Sequence, residues 1–282
     1  MDIRLLDNTD QPEMDAFLRL HRDSSMFLRA NSQRVGLVYR PATLHATYAG
    51  AFDDGRMCGV AAHAWNGMVL LQCPKHVEEI ARECVRLSSR RVSGLTGPLD
   101  QVQQARGALG LEHAPARMED DEWLYGLDLA DLVVPAALTD GSVLCRYPLP
   151  EDRDTLCRWR TDYDIEALGS PDSDETRTRA TSVLDGQIAQ QHAWVAVHDG
   201  RIVSLSAFNA VLPDIVQLGG IYTPPEYRGR GYAKVSVAGS LIAARERGAT
   251  RAVLFTDNPS AARCYEGVGF RRLGDYGLVL LE

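Results

Sequence analysis

The chain has almost no lysine. Only Lys75 and Lys234 occur among its 30 basic residues, so arginine carries nearly all the positive charge. Positive charge is itself in deficit, since 38 acidic residues leave a formal net charge of -8. That balance argues against general nucleic-acid binding, which depends on a positive field facing the phosphates. A phosphate-bearing ligand would need a local pocket of its own, and the overall field weakly favours a cationic partner such as an amine. No apolar run approaches the roughly 18–20 residues that a membrane span needs. The start, Met1-Asp2-Ile3-Arg4, lacks a basic stretch followed by an apolar core, so no secretion signal is expected and a cytoplasmic protein is. The six cysteines, at 58, 73, 84, 145, 157 and 264, lack the paired spacings of metal or redox motifs. They are expected as reduced, half-buried thiols, with no metal site.

What is present is ordinary in composition, 45% hydrophobic and 24% charged over 282 residues, a length that suits two domains. A linker is expected at 131–142, where Pro135, Ala136 and Ala137 precede Thr139-Asp140-Gly141. It would separate a first domain, 1–130, from a second, 143–282. Trp123 to Leu129 alternates like a closing strand, and Val143 to Tyr147 like an opening one. Leu156, Trp159, Tyr163 and Ala167 then give helical spacing.

The halves resemble each other. Asp54-Gly55-Arg56 and Asp199-Gly200-Arg201 each sit between strand-like runs, as tight hairpin turns do. Gly110 and Gly269 each follow a short helix that follows a strand. From Pro74 to Gly110 is 36 residues, and from Pro224 to Gly269 is 45. The second half therefore carries its largest insertion just after its fourth strand, and there the chemistry gathers.

There the sequence runs Ile221-Tyr-Thr-Pro-Pro-Glu-Tyr-Arg-Gly-Arg-Gly-Tyr-Ala233. A strand leads through a double proline into a glycine-rich loop and then a helix that Gly248 stops. A helix start offers unpaired N–H groups and a positive dipole end, and glycines let a bulky anion come close. Taken alone, such a loop is weak evidence, its alternative being a solvated basic turn. Downstream, Arg251 to Thr256 has the pattern of a buried strand. Asn258-Pro259 then supplies a helix cap and a first-turn proline, and Ala261, Ala262 and Tyr265 lead to Gly267-Val-Gly-Phe270.

These two blocks together resemble the GNAT superfamily of N-acetyltransferases, whose pyrophosphate loop reads Arg/Gln-x-x-Gly-x-Gly/Ala. The resemblance covers Val143 to Glu282, and the first half resembles the same fold more loosely. It implies an α/β fold of two GNAT-like domains, each a mixed, mostly antiparallel sheet flanked by helices. It implies acetyl-CoA as acyl donor, held between the fourth and fifth strands of the second domain. The backbone of Ile221, Tyr222 and Thr223 would meet the pantetheine arm. The backbone of Arg228, Gly229, Arg230, Gly231, Tyr232 and Ala233 would cradle the pyrophosphate, and Asn258 and Ala261 would flank the far side. Tyr265 would lie beside the sulfur as proton donor, its alternative being a core aromatic. The acceptor implied is a small-molecule amine; a peptide amine, or a CoA-binding regulator without catalysis, are the alternatives. The fourth strand offers only Gln217 and no carboxylate, so the base is left open between a water chain and a carboxylate from elsewhere, such as Asp164 or Glu166. Lys234 could meet a CoA phosphate or solvent, and Cys264 reads as structural. The first half lacks the loop, with Arg106 in the place of Tyr265 and Leu99 in that of Asn258, and resembles a worn copy.

Overall fold

The computed structural model describes residues 1–282. Twelve strands and nine α-helices follow in order: β1 (Asp2–Leu5), α1 (Gln11–Leu20), α2 (Met26–Val35), β2 (Ala46–Asp53), β3 (Arg56–Ala64), β4 (Met68–Gln72), α3 (Val77–Ser88), β5 (Gly94–Pro98), α4 (Leu99–Ala108) and β6 (Ala116–Asp128). Then come α5 (Ala136–Thr139), β7 (Leu144–Arg146), α6 (Arg153–Glu166), α7 (Asp174–Ala189), β8 (Ala193–His198), β9 (Arg201–Val211), β10 (Ile215–Tyr222), α8 (Tyr232–Glu246), β11 (Arg251–Thr256), α9 (Pro259–Glu266) and β12 (Arg271–Leu281). The expected mixed sheet flanked by helices is what forms. No helix is long and apolar enough to cross a membrane.

The chain forms two compact units, one of Met1–Leu124 with Leu273–Glu282 and one of Tyr125–Arg272. The divisions therefore fall at 124/125 and 272/273 rather than in the 131–142 segment expected as a linker. That segment holds α5, and Ala137 and Leu138 pack on the core around Val143 and Val235. The last strand lies in the first unit, where β12 pairs antiparallel with β5 from Tyr276↔Pro98 to Leu280↔Gly94. Alternation announces a strand but not its partner. Strand β6 is also longer than expected, because its first residues alternate through exposed charged groups that do not look strand-like.

Each unit builds its sheet in the same way. In the first, β1, β2, β3 and β4 pair antiparallel in sequence, and β4 pairs parallel with β5. In the second, β7, β8, β9 and β10 do the same, and β10 pairs parallel with β11. Local devices recur too. Both hairpins turn through Asp-Gly with positive φ at each residue, 49° and 74° at Asp54-Gly55 and 48° and 73° at Asp199-Gly200. A two-residue turn of that shape matches strand twist. A register shift follows each turn, leaving Cys58 of β3 and Val203 of β9 without a paired partner. The first strand of each unit carries an arginine held by an aspartate six residues on, Arg4 to Asp10 and Arg146 to Asp152. At the ends of α4 and α9, Leu111 N–H donates to Arg106 C=O and Phe270 N–H to Tyr265 C=O. Arg106 thus does match Tyr265. By the helix start, however, Pro98 rather than Leu99 matches Asn258, since Pro98 is the α4 cap.

Candidate active site

In the second unit the two parallel strands part company. β10 and β11 pair only from Ile215↔Arg251 to Gln217↔Val253. β10 also shifts register against β9 between Gln217 and Leu218 and again between Gly219 and Tyr222, so Gly220 and Ile221 have no pairing partner on either side. The cause is local. Gly220 sits at φ +68°, and Gly219 lies against the Asn209 side chain, which a Cβ there would displace. Glycine inside a strand marks bulges and close approaches. The Gly-Gly doublet was the sequence signal for this splay, although the sequence reading did not use it.

Beyond the splay, the loop 228–231 leads into α8. Gly229 and Gly231 hold φ +75° and +80°, and a Cβ on either would meet open space. These glycines are needed for backbone shape rather than for clearance within the protein. No protein group accepts from the N–H groups of residues 229 to 233, and Lys234 N–H is the first to bond, to Gly231 C=O. Gly231 caps α8 without a side-chain acceptor. A row of bare amides at the positive end of a 15-residue helix suits an anion. Arg230 is exposed beside it without an ion pair.

Arg228 does something else. Its Nη2 donates to Glu166 Oε2 at 2.6 Å and its Nε to Thr223 C=O at 2.9 Å, so its charge is committed within the protein. Tyr222 Oη donates to Glu166 Oε1 at 2.8 Å, and Ser204 Oγ donates to Tyr222 C=O at 3.3 Å. Burial works against the charge of Glu166, yet hydrogen bonds from Arg228 and Tyr222 prevail and hold its pKa below the usual carboxylate range. Burial first, and then the bond to Glu166, push the phenol of Tyr222 up. Asp164 is buried against Arg160 at 3.0 Å. Neither carboxylate left open by the sequence is unengaged. Asp162, which sequence reasoning missed, makes no hydrogen bond or ion pair, and burial followed by the charge of Glu166 raises its pKa. It lies on α6 three and four residues from Trp159 and Glu166, and so on the helix face that meets Tyr222.

On the far flank, Asn258 Oδ1 caps α9 by accepting from Ser260 and Ala261 N–H at 2.8 and 3.3 Å. That leaves its amide NH2 to donate outward. Ala261 is half-buried in the first turn, and Tyr265 is buried with its ring edge-on to Phe270. Lys234 is half-buried, and its Nζ lies over Gly267 at the end of α9. Burial pushes the Cys264 thiol up to about 11, as a structural cysteine requires.

In the first unit β4 and β5 also pair over three residues, from Met68↔Gly94 to Leu70↔Thr96, but the place beyond them is filled. Gly97 lies so near Leu71 C=O that a Cβ would stand 2.8 Å from it, and Gln101 Oε1 accepts Cys73 N–H at 2.6 Å. The side chain of Gln101 thus takes the backbone group at the end of β4. Glu78 and Glu79 occupy the first turn of α3, where an anion would be repelled.

Residues 154–270 match the model of the acetyltransferase (GNAT) family. No curated protein is similar enough in sequence to match. Among solved structures, a GCN5-related N-acetyltransferase from Sphaerobacter thermophilus is 17% identical, with 99% of this chain and 94% of that one covered at a TM-score of 0.56. A Drosophila protein is 12% identical, covered at 99% and 98%, with a TM-score of 0.66. A tandem GNAT protein from the clavulanic acid biosynthesis pathway is 14% identical, covered at 99% and 97%, with a TM-score of 0.53. At these identities the likeness is one of fold.

Proposed function

We propose that the chain, whose residues 154–270 match the acetyltransferase (GNAT) family, transfers an acetyl group from acetyl-CoA to a primary amine of a small molecule. The observation that carries this reading is the row of unpaired N–H groups from 229 to 233 next to the splay of β10 from β11. Bare amides at a helix start fit a pyrophosphate, and the unpaired edge at Gly220 and Ile221 fits an extended amide-bearing arm. Ile221, Tyr222 and Thr223 would run along that arm, with the carbonyls of Tyr222 and Thr223 already taken by Ser204 and Arg228. The amide of Asn258 and the first turn of α9 at Ala261 would close the other side. When bound, acetyl-CoA supplies an acetyl group activated as a thioester.

The chain's own residues then have two proton tasks. The attacking amine must be uncharged, and we assign its proton to Asp162. That carboxylate is the uncommitted one on α6, and its raised pKa brings it nearer to a base's working range. Tyr265 would give a proton to the departing sulfur, since a phenol stays protonated at neutral pH. Glu166 acts as a brace, tying α6 to the start of the loop through Arg228. The first unit, with the same sheet order and turn devices but a closed strand pair, is a copy without a donor site.

The experiment is turnover of acetyl-CoA over a panel of small primary amines and short peptides, read by CoA release and by mass of the acetylated product. Faster transfer to a small amine than to any peptide supports the reading. Transfer only to peptides would overturn the acceptor class, and binding of CoA without transfer to anything would overturn catalysis.

A further inference from the structure

The first unit gathers three metal-binding side chains of different kinds at one point. Asp53 ends β2, Cys58 is the unpaired residue in the register shift of β3, and His76 caps α3. Their ligand atoms all lie within 4.8 Å of one another, and His76 Nε2 is 3.1 Å from Asp53 Oδ2. Tetrahedral zinc with bonds of about 2.0–2.3 Å sets its ligand atoms roughly 3.2–3.8 Å apart, so a modest closing of the side chains suffices. All three residues are half-buried, within reach of solvent but backed by protein.

The backbone that brings them together is the frame shared with the second unit. There the matching positions are His198, the unpaired Val203 and the α8 cap Gly231, a set without three ligands. His76 adopts φ +58° and ψ +33°, the left-handed conformation in which Gly231 also sits. An L-residue meets a cost of roughly 1–2 kcal/mol there, and such strain gathers where a side chain has a task. Two cations share Asp53 at present, Lys75 Nζ at 3.8 Å and the Met1 amino group at 3.9 Å. The lysine side chain is 65% exposed and can turn to solvent.

We propose that Asp53, Cys58 and His76 bind a zinc ion, with water as the fourth ligand. On binding, the Cys58 thiol gives its proton to solvent and ligates as thiolate. The Nε2 proton of His76 that now faces Asp53 Oδ2 leaves to Nδ1 or to solvent, freeing Nε2 for the metal, and Asp53 ligates as carboxylate; nothing is oxidised or reduced. Thiolate with imidazole selects zinc over magnesium or calcium. The proposal stands apart from acetyl transfer.

The test is spectroscopic titration of the full-length, chelator-stripped, reduced chain with Co2+, followed by competition with Zn2+. One Co2+ per chain with a thiolate-to-cobalt band, bleached by one equivalent of Zn2+, is expected. Cys58→Ser should lose the band. His76→Gly, which relieves the left-handed strain and so keeps the fold, should weaken Zn2+ by more than the roughly 10–100-fold that losing an outer partner of a ligand costs. Absence of the thiolate band in the wild type, its persistence in Cys58→Ser, or undiminished Zn2+ affinity in His76→Gly would each overturn the proposal.

Discussion

Replacing Gly231 with alanine separates two things the loop does. The methyl group has room on the protein side, since no atom lies within 4 Å of where it would stand. The backbone, however, sits at φ +80°, which costs an L-residue about 1–2 kcal/mol. At roughly 2–4 °C per kcal/mol for a domain of this size, Gly231→Ala should lower the melting temperature by about 2–8 °C. The same open space is where a pyrophosphate would stand, and a shift of φ back to negative values would turn the amide row away. CoA affinity should therefore fall at least about tenfold, which is about 1.4 kcal/mol. Gly248→Ala is the control. That glycine is also left-handed, at φ +102° with open space around its Cβ position, but it follows the far end of α8. It should lose comparable stability and keep CoA affinity. Calorimetric titration of the folded variants decides: a Gly231→Ala chain that is destabilised yet binds CoA like wild type would refute the cradle.

Three further outcomes follow from the site. Tyr265→Phe keeps the ring against Phe270 and removes only the hydroxyl, so kcat should fall by about 10²–10⁴ with CoA affinity kept; near-normal turnover would leave Tyr265 as packing. If Asp162 takes the amine's proton, activity should decline as pH falls through its raised pKa, because the base is then protonated. Asp162→Asn should lower kcat and abolish that acid limb, and an unchanged limb would place the base elsewhere. Cys264, with its thiol near 11, should carry roughly 100-fold or more less thiolate than a free cysteine at neutral pH, so site-mapped alkylation by iodoacetamide should be slow; rapid labelling would contradict its burial.

Much of the second unit's site was legible because it is written locally. A proline pair, a glycine pair and a helix start lie within thirteen residues, and Asn258 caps its helix as its position implies. The Asp-Gly turns, too, formed as their sequence requires. What the sequence hid depends on distant residues. Nothing near Arg228 announces that Glu166, 62 residues earlier, engages its guanidinium. Gln101 gave no sign that it would accept from Cys73, 28 residues away. The C-terminal strand has the right alternation, but nothing in Arg271–Leu281 says that Gly94–Pro98 will be its neighbour. Asp162 sits among other charged residues of α6, and only burial distinguishes it.

The proposed function requires a single donor site, in the second unit. Calorimetric titration of the full chain with CoA measures this most directly. One CoA per chain is expected, because β10 and β11 splay beside bare amides while β4 and β5 are closed by Gly97 and Gln101. Saturation at two CoA per chain, or no saturable binding at all, would contradict it.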